Sequence, residues 1–135
     1  MIPVNTPLLD GNEQEYVLKA LKDGWISSEG PAVKEFEEKF AARVGRRHGI
    51  AVANGSVALD LAVVAAGIKE GDEVIMPSFT IISPAAAVVR VGAKPILVDS
   101  DATTWNMDVT QIEAKITTKT KAILVVHIYG LPVDM

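Results

Sequence analysis

With 135 residues, 49% of them hydrophobic, and a formal net charge of -4 from 13 basic and 17 acidic side chains, the chain has apolar material for one core of ordinary size. The basic residues are scattered apart from Arg46 and Arg47, which argues against a nucleic-acid partner, and the absence of cysteine excludes disulfides, thiolate nucleophiles and cysteine metal clusters. The longest apolar run, residues 57–68, is interrupted by Asp60 and falls short of the roughly 20 residues a membrane span requires.

The first sixteen residues, MIPVNTPLLDGNEQEY, show no basic region followed by an apolar core and a small-residue cleavage site, so a cytoplasmic location is expected. Residues 12–24 place Tyr16, Val17, Ala20 and Leu21 at helical spacing and stop at Gly24, a suitable C-terminal cap. That predicts a first amphipathic helix. Residues 32–45 repeat the pattern with Val33, Phe36, Phe40 and Val44, again ending in glycine, while Glu35, Glu37, Glu38 and Lys39 form its solvated face. Strands are expected at 48–54, 72–77, 95–99 and 121–130, where β-branched runs lie between turn signals. Helices are expected between them at 55–68, 80–92 and 108–117, with Pro84 in the first turn of the second.

Strands that alternate with helices and are apolar on both faces form parallel sheets, so the expected class is α/β with crossover connections. No repeat or low-complexity linker interrupts the pattern. The last strand runs into 129-YGLPVDM-135 where a further helix would be expected, and the chain is therefore expected to be truncated.

The joint between the first strand and the next helix holds Asn54, Gly55 and Ser56. Backbone N–H groups there have no partner within the helix and stand at the positive end of its dipole. Glycine permits close approach and a serine hydroxyl adds a hydrogen bond, which suits an anion such as phosphate. The same residues also fit the commoner role of a helix cap. The G-x-G-x-x-G pattern of a dinucleotide-binding oxidoreductase is absent from 54-NGSVAL-59.

Four blocks in unbroken order, 25-WISSEGP-31, 53–68, 71–101 and 117–135, resemble the amino-terminal part of the DegT-type nucleotide-sugar aminotransferases, which are pyridoxal phosphate-dependent. The WISSEG block and the VHIYG ending are most similar to perosamine synthase-like members, which aminate a 4-keto-6-deoxy sugar carried on GDP. The resemblance implies a fold type I large domain with a mainly parallel sheet flanked by helices. It implies a single incomplete domain: amino-terminal helices over 1–45, then the start of the cofactor-binding α/β domain over 46–135. The intact protein is expected to move an amino group from an amino acid such as glutamate to a nucleotide-linked keto sugar, as a homodimer.

Carried onto this sequence, the family's phosphate-holding motif falls on Gly55 and Ser56, with Ser in place of the commoner Thr. The family's ring-stacking aromatic falls on Ile81 of 77-PSFTII-82, so here an aliphatic surface takes that place, the competing role being an ordinary core residue. Ser83 matches a small polar pocket residue, or caps the helix ahead of Pro84. Trp25, Ser27 and Ser28 are the candidate substrate-binding residues, the competing roles being core packing for Trp25 and helix initiation for Ser28. His127, at a strand's carboxyl end, is read as structural, and Asp99 and Asp101 as a strand end and turn with no metal assigned. No catalytic residue is expected in this chain, because the family's acidic motif and Schiff-base lysine segment have no counterpart and Lys94, Lys119 and Lys121 stand outside it. The alternative is a non-catalytic sugar-binding or regulatory member of the same fold.

Overall fold

A computed structural model describes residues 1–3 and 5–135, which divide into two compact units, Met1–Ala51 and Val52–Met135.

The first unit holds helices α1 (Glu13–Lys22) and α2 (Pro31–Arg43). Both stop where the sequence predicts, with Gly24 and Gly45 in the left-handed region and the following amides, of Trp25 and Arg46, returning to the carbonyls of Ala20 and Ala41. Pro31 occupies the first turn of α2, where its missing N–H costs nothing, and Gly30 rather than Ser28 is the N-cap. The apolar stripes lie open: Leu18, Leu21, Phe36 and Phe40 are all exposed. Glu37 departs from the expected solvated face, being half-buried with Oε1 accepting the Ala51 amide at 2.8 Å.

The second unit contains α3 (Gly55–Ala65), β1 (Glu73–Pro77), α4 (Ser83–Arg90), β2 (Lys94–Val98) and β3 (Thr120–Ile123). The three strands form one parallel sheet in the order β2-β1-β3, an α/β arrangement as expected. Central β1 is apolar on both faces because both are covered. On one face Val74 packs with Val63 and Ile68 from α3 and its end, and with Ala87, Val88 and Ala93 from α4 and its end. On the other, Ile75 meets Val98 and Met107. The flanking strands keep Leu97 and Ile123 about half exposed.

Three expectations are corrected. Residues 48–54 form no strand; the Ala51 amide that a neighbouring strand would need is taken by Glu37. Residues 108–117 form two 3-10 turns, Val109–Gln111 and Glu113–Lys115, in place of a helix. Asp108 draws the Thr110 amide and hydroxyl and the Gln111 side-chain amide onto its carboxylate, closing a tight turn, and the β-branched Val109, Thr110, Ile112 and Ile116 disfavour longer helix. The strand expected over 121–130 ends at Ile123, followed by one further bond from the Leu124 amide to the Ile75 carbonyl. Its partner β1 stops at Pro77, which has no N–H to extend the ladder.

Candidate cofactor-phosphate site

The amino ends of α3 and α4 come together in the second unit. Asn54 adopts extended backbone and its side-chain oxygen accepts the Val57 amide at 3.1 Å, so Asn54 is the cap of α3. The Ala58 amide returns to the Asn54 carbonyl. That leaves the Gly55 and Ser56 amides without a partner among the described residues, at the positive end of the helix dipole. A Cβ placed on Gly55 would meet nothing within 4 Å, so no side chain crowds Gly55 at this helix start.

Ser56 is not spent on capping. Its Oγ lies 2.9 Å from Oγ of Ser83, in the first turn of α4, although 27 residues separate them. Ser83 lies six residues beyond Pro77, the last residue of β1, so the pair stands toward the carboxyl edge of the sheet, where open α/β sheets bind ligands. Each hydroxyl has one proton and two lone pairs, so both can rotate their protons onto an anion by giving up their mutual bond. Ile82, not Ser83, holds the N-cap position of α4, and among the described residues the Ser83 hydroxyl bonds Ser56; Pro84 follows in the first turn as expected.

Thr80, which sequence reasoning passed over, contributes a third hydroxyl to the β1–α4 connection. Its Oγ1 is buried and has no hydrogen-bond partner among the described residues. An orphaned buried hydroxyl costs about 1–3 kcal/mol and asks for an acceptor. The signal was present in 77-PSFT-80, where a β-branched hydroxyl follows the strand end. Ile81 is 69% exposed and Ile82 75%, so Ile81 is no core residue of this chain and presents an apolar surface outward. Two free amides and a hydroxyl pair at a helix start make a donor set suited to an anion such as phosphate.

The other candidates separate from this group. His127 is exposed and its Nδ1 accepts the Val133 amide at 3.0 Å, a bond that holds the following loop. Asp99 accepts the Ser100 amide, and Asp101 accepts the amides of Thr103 and Thr104 and the Thr104 hydroxyl. These bonds, the Thr104 amide foremost, hold the Asp101 carboxyl below its ordinary pKa. Asp108 is lowered as well, chiefly by the Thr110 hydroxyl. Both aspartates are turn-formers.

In the first unit, Trp25 sits on the corner between α1 and α2, about half exposed, with its Cβ so near Gly30 that a side chain there would approach to 3.2 Å. Trp25 also borders a shallow pocket of about 60 Å³ with Tyr16, Pro31 and Glu35. Ser27 and Ser28 are exposed.

The sequence profile of the DegT/DnrJ/EryC1/StrS aminotransferase family matches residues 7–135. GDP-perosamine synthase of Escherichia coli O157:H7 is 53% identical over 134 residues, 99% of this chain and 37% of that protein. A pleiotropic regulatory protein of Geobacillus stearothermophilus is 43% identical over 98% of this chain and 38% of its own length. Among solved structures, a Streptococcus pneumoniae chain in its PLP form superposes with a TM-score of 0.87 at 33% identity, covering 98% of this chain and 34% of that one. The chain thus spans little more than a third of the relatives it matches.

Proposed function

This chain belongs to the DegT/DnrJ/EryC1/StrS aminotransferase family, and on that premise we propose that it is the amino-terminal part of a pyridoxal phosphate-dependent, fold type I enzyme that transfers an amino group to a nucleotide-linked sugar. The observation that carries the reading is the Ser56–Ser83 hydroxyl pair at 2.9 Å, beside the open amides of Gly55 and Ser56. The 53% identity to a GDP-perosamine synthase supports a GDP-linked sugar as the substrate class, and the proposal takes a 4-keto-6-deoxy sugar as acceptor and glutamate as donor.

In this proposal the amides of Gly55 and Ser56 and the hydroxyls of Ser56 and Ser83 donate to the phosphate oxygens, with the α3 dipole adding to the attraction. Ile81 lays its exposed aliphatic surface against one face of the pyridine ring, excluding water by dispersion contact. The bound cofactor supplies an electron sink for the carbon that exchanges the amino group. Trp25, Ser27 and Ser28 contact the sugar or its nucleotide. The same proposal assigns the cofactor-carrying lysine to none of these residues, since Lys94, Lys119 and Lys121, at the start of β2, beside the start of β3 and within β3, match no catalytic motif of the family. Transamination by this chain alone is therefore not expected. Assembly as a homodimer belongs to the same proposal, supported by the open apolar stripes of α1 and α2, as does a cytoplasmic location; no described helix is long and apolar enough to cross a membrane.

A second reading, a regulatory member of the family, is favoured by one observation, the 43% identity to the pleiotropic regulatory protein. The deciding experiment titrates the chain with pyridoxal phosphate and, separately, with phosphate-free pyridoxal. Binding that needs the phosphate supports the site; equal affinity for both, or for neither, sinks it. The full-length protein is then assayed with glutamate and a GDP-linked 4-keto-6-deoxy sugar, where sugar binding without amino transfer selects the regulatory reading.

A further inference from the structure

We propose that the ion pair between Asp60 and Arg90 is a positioning device that pins the register of α3 against α4 and thereby sets the Ser56–Ser83 spacing; this rests on the phosphate-site reading above. Asp60 is the only charged residue of α3, GSVALDLAVVA, and Arg90 the only charged residue of α4, SPAAAVVR. They find each other: Nη1 of Arg90 lies 2.8 and 2.9 Å from the two carboxylate oxygens of Asp60.

The need for a pin follows from the packing. The residues that α4 and its end give to the core cluster, Ala87, Val88, Val91 and Ala93, are short side chains that make shallow ridges and resist a slide along the axis weakly. The hydrophobic effect favours burying these residues but is non-directional, and it discriminates poorly between neighbouring registers. An ion pair between helices does discriminate, which is the best-attested use of such pairs. Asp60 stands one turn, about 6 Å, below Ser56, while Arg90 stands two turns below Ser83 and ends its helix, where a cation also suits the dipole. The two contacts, hydroxyl to hydroxyl and carboxylate to guanidinium, hold the helices at separate points along their length.

The pair is partly exposed, with side-chain exposures of 58% for Arg90 and 36% for Asp60, so its contribution to global stability is small. Its effect is expected in geometry. Because the chain has no cysteine, a S56C/S83C variant reports the spacing directly through its rate of disulfide closure in a glutathione buffer, without any ligand. Adding D60N or R90Q is expected to slow closure several-fold, and the swapped pair D60R/R90D to restore most of it. In the native-serine background, D60N and R90Q are expected to weaken pyridoxal phosphate by about two- to fivefold, with the swap recovering it and the unfolding midpoint nearly unchanged. Closure unaffected by both neutral variants overturns the proposal, as does slowed closure with unaltered cofactor affinity. If the native chain itself ignores pyridoxal phosphate, the site reading fails, while the closure rates still decide whether the pair sets the register.

Discussion

Oγ of Ser56 and Oγ of Ser83 lie 2.9 Å apart, joining the first turns of two helices that the chain separates by a full strand. Neither hydroxyl caps its own helix. Removing one leaves the other with spare bonding capacity, and a bound phosphate loses a charge-assisted hydrogen bond, worth about 1.5–3 kcal/mol. Ser83→Ala is therefore expected to weaken pyridoxal phosphate at least about tenfold by that measure, with little change in the urea midpoint. An isothermal titration paired with urea unfolding checks both halves; undiminished affinity would remove Ser83 from the site.

Ile75 is fully buried in central β1 and packs with Val98 and Met107. Truncation to alanine opens a cavity that the sheet, anchored on its opposite face, can close only in part. Ile75→Ala is expected to cost about 2–5 kcal/mol, read as a lowered urea midpoint at unchanged slope. A loss below about 1 kcal/mol would show that this face relaxes freely.

Asn106 is the buried hub of the carboxyl-terminal loop. Its Nδ2 donates to the carbonyls of Leu131 and Pro132, and its Oδ1 accepts the Ile128 amide. Asn106→Ala removes the donor and the acceptor together. It is expected to speed hydrogen exchange of the Ile128 and Val133 amides while leaving that of the β1 amides unaltered. Unchanged exchange at both loop positions would show that the loop is held by other contacts.

Asp101 and Asp108 both titrate below the ordinary carboxylate value because amides and hydroxyls bond their charged forms. A carboxylate with a lower pKa folded than unfolded stabilises the fold above its unfolded pKa, about 3.9. That contribution disappears as pH falls through the folded value. The native chain is thus expected to lose stability below about pH 4 more steeply than the double variant D101N/D108N. Parallel pH slopes of the unfolding free energy for the two proteins would refute this.

Gly49 lies against α2 so closely that a Cβ would stand 2.5 Å from the Glu37 carbonyl oxygen. Gly49→Ala must displace backbone, since no flexible side chain is there to yield. A loss of roughly 1–3 kcal/mol in the first unit is expected, visible as a faster exchange of the Ala51 amide that Glu37 holds. Native-like exchange in the variant would mean the segment moves aside without cost.

Periodicity was enough to place α1 and α2 and their glycine stops, because amphipathic spacing and left-handed C-caps are local properties of ten or so residues, while α3 and α4 were expected as the segments between strands. The α/β class followed from strands alternating with helices, and Gly55 and Ser56 were legible as an open helix start for the same local reason. The errors fell where a distant partner decides. Residues 48–54 have strand composition, yet Glu37 takes the amide that a ladder would have used. Residues 108–117 have helical spacing, yet the Asp108 carboxylate gathers the first turn to itself. Above all, no local rule brings Ser83 to Ser56 or Arg90 to Asp60. Hydrophobic periodicity specifies which face of each helix is buried; only packing α3 and α4 on the same face of β1 determines which polar groups then meet, because those contacts join residues 27 and 30 positions apart.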